Sequence, residues 1–122
     1  MNNWLNLFRL LSDETRLKMM VVLFVRPLCV CELSSLLKIN QPKISKHLSK
    51  LKDLGYVDGA RHEKYILYTL NFKSAKEAAL FEAFIKQVEE DVRFLDLLTR
   101  VRKLPPILWD DSNKINIRCE SV

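Results

Sequence analysis

A mainly helical (α+β) domain carrying one small β-hairpin is the fold class that this sequence predicts, on three observations. Only two glycines and four prolines interrupt 122 residues, too few for a turn-rich sandwich or barrel. Apolar side chains recur at three- and four-residue spacings along most of the chain, the period of a buried helix face. Between residues 56 and 70 that period drops to two, the alternation of strands. With 48% hydrophobic and 29% charged residues the composition is globular. The length suits one domain, placed at residues 1–104, with a patternless tail at 105–122.

Trp4, Leu5, Phe8 and Leu11 predict one face of a first helix. Ser12 reads as the N-cap of a second, with Asp13 and Glu14 suited to its dipole. Leu17, Met20, Val21 and Phe24 continue that helix to about Val25, before Pro27. A short third helix is expected from about Cys29 to Leu37, with Leu33, Leu36 and Leu37 inward. Asn40 or Gln41 caps a fourth, whose first turn tolerates Pro42 because that N–H has no partner in a helix anyway. Its buried face is Ile44, Leu48 and Leu51. Lys43, Lys46, His47 and Lys50 share the opposite face.

Gly55 ends that helix. Tyr56–Asp58 and Tyr65–Leu70 then read as two strands around a basic tip, Arg61, His62 and Lys64. Their aromatic residues are assigned to packing rather than to stacking on bases. From Ser74 to about Lys103, Ala78, Phe81, Ile85, Val88, Val92 and Leu95 step like a heptad seam. One helix of that length would reach roughly 43 Å, so it is expected to serve as a dimerisation helix. Pro105 and Pro106 end it.

The net charge is +5, and the excess sits in residues 26–70. Lys38, Lys43, Lys46, Lys50 and Lys52 fall there with no acid between them, the pattern of a nucleic-acid footprint on a small helical domain. The longest apolar run, Met19–Val25, has seven residues, far short of the about 20 that span a membrane. No signal peptide is visible. Three cysteines, two of them only two positions apart, do not make a disulfide scaffold and suit a reducing cytoplasm.

Two helices, a turn, a basic-faced helix and a hairpin follow the order of a winged helix-turn-helix. Four segments make the likeness specific: Leu11-Ser-Asp-Glu-Thr-Arg-Leu, Leu28-Cys-Val-Cys-Glu-Leu, Asn40-Gln-Pro-Lys-Ile-Ser-Lys-His-Leu and Leu51-Lys-Asp-Leu-Gly-Tyr-Val. In this order and spacing the chain resembles the ArsR/SmtB family of metal- and metalloid-responsive repressors over residues 5–70, and more loosely over 71–102. The resemblance implies a homodimeric, non-enzymatic repressor that binds operator DNA without a cofactor and releases it on binding an inducer ion.

It also implies that the fourth helix enters the major groove, offering Gln41, Lys43, Ser45, Lys46, His47 and Lys50. Gln41 and Ser45 suit base edges and the lysines suit phosphates. Arg61, His62 and Lys64 are expected on flanking DNA, with Glu63 standing where the family pattern has glycine. Cys29-Val30-Cys31 matches the family's metalloid box. Two such thiolates form a soft chelate suited to As(III) or Sb(III), favoured by a helix N-terminus that lowers thiol pKa values. Ser34 occupies the place of a frequent third cysteine, so Cys119 is the remaining candidate. Glu89, Glu90 and Asp91 read as a solvated face, not a zinc site.

Residues two apart in an ideal helix point about 200° away from each other. Cys29 and Cys31 should therefore clamp one ion only if the first turn of the third helix unwinds or tilts. Response to thiol oxidation or to another soft metal such as Cd(II), a metal-independent regulator and a thiol redox enzyme are the alternatives. The enzyme lacks the Cys-x-x-Cys spacing of thioredoxin-like proteins.

Overall fold

The computed structural model describes the backbone of residues 2–62, 65–104, 108–109 and 115–116, and the side chains of 4–61 and 65–104. Helix α1 spans Asn2–Leu11 and α2 spans Glu14–Val25. Strand β1 (Leu28–Cys29) leads directly into α3 (Val30–Leu37), and α4 covers Gln41–Asp53. Strands β2 (Val57–His62) and β3 (Tyr65–Leu70) form the hairpin. Helices α5 (Ala75–Val88) and α6 (Val92–Lys103) follow, then β4 (Leu108–Trp109) and β5 (Ile115–Asn116).

The mainly helical winged helix-turn-helix is therefore observed, with local corrections that each have a physical cause. On α1 the buried positions are Leu7 and Leu10, whereas Leu5 and Phe8 are exposed. The inward face is rotated from the expected one because α1 packs beside α2. The N-cap of α2 is Asp13, whose carboxylate accepts the Arg16 N–H at 3.0 Å. Ser12 instead donates its hydroxyl to the Arg9 carbonyl and closes α1.

Helix α2 is the spine of the core, with Met19 through Leu23 all buried. The wing is three-stranded rather than two-stranded, in the order β1-β3-β2. Leu28 and Cys29 pair antiparallel with Tyr68 and Leu67, and this pairing holds Cys29 out of the helix that was expected to include it. Strands β2 and β3 pair from Val57–Leu70 to His62–Tyr65, so the hairpin is longer than its sequence pattern. Tyr56 lies outside the strands and is fully buried, consistent with packing rather than base stacking.

The expected single long helix is two helices. Asp91 breaks it by capping α6, accepting the Arg93 N–H at 2.9 Å. The interruption moves the apolar stripe. Phe94, Leu97, Leu98 and Val101 are buried, while Val92 and Leu95 of the expected seam are exposed. Helix α6 folds back onto the domain, where Arg100 donates to the Leu36 carbonyl and Arg26 to the Leu104 carbonyl, each at 2.7 Å. Glu89 pairs with Arg102 at 2.8 Å. In the tail, taken as patternless, β4 and β5 pair antiparallel.

Candidate nucleic-acid interface and cysteine site

Helix α4 is built almost wholly from local signals. The Asn40 side chain accepts the Lys43 N–H at 3.0 Å, with Pro42 in the first turn. At the other end Gly55 takes φ +83°, a left-handed conformation natural to glycine. Ile44, Leu48 and Leu51 are buried, which fixes the helix roll. Lys43, Ser45, Lys46 and Lys50 are consequently exposed, and Gln41 and His47 are half-buried.

The turn from α3 to α4 is tight. Lys38 adopts φ 58°, and Ser34 donates its hydroxyl to the Ile39 carbonyl. The side chain at the place of the frequent third cysteine is thus committed to the turn.

His47 faces Asp13 and Arg16 at the start of α2. Burial lowers its pKa from the ordinary 6.5; Asp13 opposes this, whereas Arg16, Lys43 and Lys46 reinforce it. The imidazole is therefore neutral at pH 7 and offers one donor and one acceptor. Asp13 is held below its usual range, first by the Arg16 backbone N–H. On the wing, Arg61 is exposed and His62 ends β2. The side chain of His62, all of Lys64 and all of Cys119 lie outside the described residues.

Cys29 and Cys31 come together. Cys29 is the N-cap of α3 with extended backbone, φ −95° and ψ 171°, and Cys31 lies in the first turn. Their Sγ atoms are 3.3 Å apart. Two metal–sulfur bonds of about 2.3 Å can bridge at most about 4.6 Å, so both sulfurs lie within reach of one ion. The expected unwinding is therefore not needed, because its premise, two helical cysteines, does not hold.

Both cysteines are buried, and Tyr65 and Leu67 of β3 pack against them. Glu32, also buried, accepts the Cys29 N–H at 3.1 Å. Sequence reasoning missed Glu32, Tyr65 and Leu67 as neighbours of this site. Glu32 at the third helical position was a readable capping signal, but the two β3 residues left none.

Elsewhere, buried Glu77 hydrogen-bonds Tyr56, whose hydroxyl is pushed up to about 12, first by burial. Among the described residues no group of three or more His, Cys, Asp or Glu side chains could hold a metal ion. No helix among them is long and apolar enough to cross a membrane.

Residues 13–58 match the model of the "Bacterial regulatory protein, arsR family". The chain is 40% identical to the arsenical resistance operon repressor of Escherichia coli over 55% of its own length. It spans 58% of that relative's length. The structure superposes on HlyU from Vibrio cholerae with a TM-score of 0.64 and 29% identity, covering 70% of this chain and 91% of that one. The cadmium resistance regulatory protein CadC of Listeria innocua is 36% identical, over 68% of this chain and 69% of that one. With that breadth of identity, a matched helix-turn-helix and a shared winged fold, the chain belongs to the arsR family of bacterial regulatory proteins.

Proposed function

We propose that this protein is a cytoplasmic, homodimeric transcriptional repressor that releases operator DNA when a thiophilic inducer, As(III) or Sb(III), binds Cys29 and Cys31. Its regulatory relatives, arsenical among them, support an expectation of no enzymatic activity. The observation that carries the reading is the pair of sulfurs 3.3 Å apart at a corner shared by the wing and the helix-turn-helix. Cys119 remains a proposed third ligand.

In this reading Gln41 and Ser45 meet base edges, and His47, neutral in the free protein, lies beside the phosphates and takes up a proton on binding. Lys43, Lys46 and Lys50 meet phosphates, and Arg61, His62 and Lys64 hold flanking DNA. The dimer rests on apolar side chains left in water, Leu5 and Phe8 on α1 and Leu80 on α5, since Ile85 is buried within the protomer.

Release follows from the ladder. Cys29 pairs with Leu67, and β3 in turn carries β2 with Arg61. An ion pulling on Cys29 and Cys31 displaces the Tyr65 and Leu67 side chains packed there, and with them the wing. Moving the population from about 99:1 bound to 1:99 takes roughly 5.5 kcal/mol of differential affinity. The ion therefore has to bind the released form roughly 10⁴-fold more tightly than the DNA-bound form.

The test is a gel shift on the promoter of its own gene under reducing conditions, titrated with As(III), Sb(III), Cd(II) and Zn(II). Release at micromolar As(III) is expected, and retention of the complex with every ion would overturn the sensing role. The same sulfur contact favours a second reading, in which oxidation couples the pair. Release by a mild oxidant, with none by any ion, would select it.

A further inference from the structure

The elements that frame α4 leave a cleft of about 230 Å³ lined by Asn6, Arg9 and Leu10 of α1, Arg16 of α2, and Lys50 and Leu54 at the end of α4. Leu10 is buried and forms an apolar floor, and the rim is Asn6 with three cations. No carboxylate lines it. The neighbouring acid, Asp13, is occupied in capping α2 through the Arg16 N–H. Arg16 is held at the wall by its Nε donating to the Leu10 carbonyl at 3.4 Å. Among the described residues no ion pair engages Arg9, Arg16 or Lys50.

Three cations around one concavity repel one another even with the Asp13 carboxylate beside Arg16, and an anion with several acceptor oxygens relieves that repulsion. Position selects the anion. Nine residues of α4 separate Gln41 from Lys50, about 13 Å at 1.5 Å per residue, and the major groove is about 12 Å wide. Nine residues are also about two and a half turns, so Lys50 projects from the opposite flank of α4 to Gln41. With Gln41 and Ser45 toward base edges, that flank and the cleft beside it lie at the groove's edge, where a strand's phosphates run.

We infer that the Arg9–Arg16–Lys50 cleft seats a backbone phosphate of the operator flanking the groove that α4 reads. The site makes α1 and the start of α2 part of the DNA surface, and it rests on the repressor reading given above. Because a phosphate carries no sequence information, the contact sets the pose of α4 and adds affinity equally on every duplex.

The test compares wild type, Arg9→Ala and Arg9→Lys on operator and scrambled duplexes by fluorescence anisotropy across a salt series. Arg9 is exposed, so its truncation leaves the fold intact, which thermal melting verifies. Removing one phosphate contact should flatten the slope of log affinity against log salt by about 0.9. The loss should be equal on both duplexes, and Arg9→Lys should restore most of it. An unchanged slope in Arg9→Ala, with wild type binding normally, would overturn the inference and leave the repressor reading standing. In that event, saturable shifts of the Arg9 Nε resonance on adding inorganic phosphate would assign the cleft to a small phosphate compound instead. Failure of the wild type to bind either duplex would remove both readings.

Discussion

The two parts of the helix-turn-helix region, α4 and the cysteine corner, are built on opposite principles. Helix α4 is specified by neighbours in sequence: an Asn40 cap, Pro42 in the first turn, an apolar stripe and Gly55 beyond the end. Its outward face is free to vary without disturbing the fold. The corner at Cys29–Cys31 is specified by partners far along the chain. A strand nearly forty residues later pairs with Cys29, and its side chains pack against the cysteine pair. Substitutions on α4 should therefore alter DNA binding with little effect on stability. Substitutions at the corner should couple stability to switching.

The sharpest break in that contrast is the Cys29→Ser/Cys31→Ser double variant. It should keep operator affinity and lose As(III)-driven release completely, whereas Cys119→Ser should weaken the response less. A gel shift with and without As(III) decides between them, and a fully inducible double variant would show that sensing lies elsewhere. Next in size is Glu32→Ala. It leaves the buried Cys29 N–H without its acceptor, at a cost of about 1–3 kcal/mol. Chemical denaturation should show that loss together with weaker As(III) affinity, while Glu32→Gln, which keeps the acceptor oxygen, should recover most of both. A Glu32→Ala protein as stable as wild type would mean that the corner is not held by this bond.

On the other side of the comparison, Asn40→Ala should cost about 1 kcal/mol through loss of the cap, and leave the As(III) response unchanged. Lys46→Ala should flatten the salt slope by about 0.9 with no measurable change in melting temperature. If it lowers stability and leaves the slope unchanged, the exposed face of α4 is structural after all.

The smallest effect concerns pH. Burial holds His47 below 6.5 in the free protein, whereas nearby phosphates favour its protonated form. Binding then takes up a proton. Operator affinity should rise as the pH falls toward this depressed pKa and level off below it, and His47→Asn should remove that rise. The effect on folding has the opposite sign. The lowered pKa means the unfolded chain binds protons more readily, so stability is full above 6.5 and declines as the pH drops.

What the sequence determined by itself is whatever depends on near neighbours: the helix order, the cap and basic face of α4, Gly55 and the placing of a hairpin after it. The family motifs belong with these, since they are patterns of adjacent residues. The tertiary structure decided the rest. Asp13 rather than Ser12 caps α2, because the Ser12 hydroxyl is committed to the Arg9 carbonyl at the end of α1, which leaves the Asp13 carboxylate to accept the Arg16 N–H. The heptad-like steps from Ala78 to Leu95 run through a break, since periodicity does not register the competing Asp91 cap. The state of Cys29 was hidden for the most general reason. A two-residue strand has no period of its own, and it exists only because β3 folds back to pair with it. That pairing, not the helix propensity of the segment, places the two sulfurs side by side.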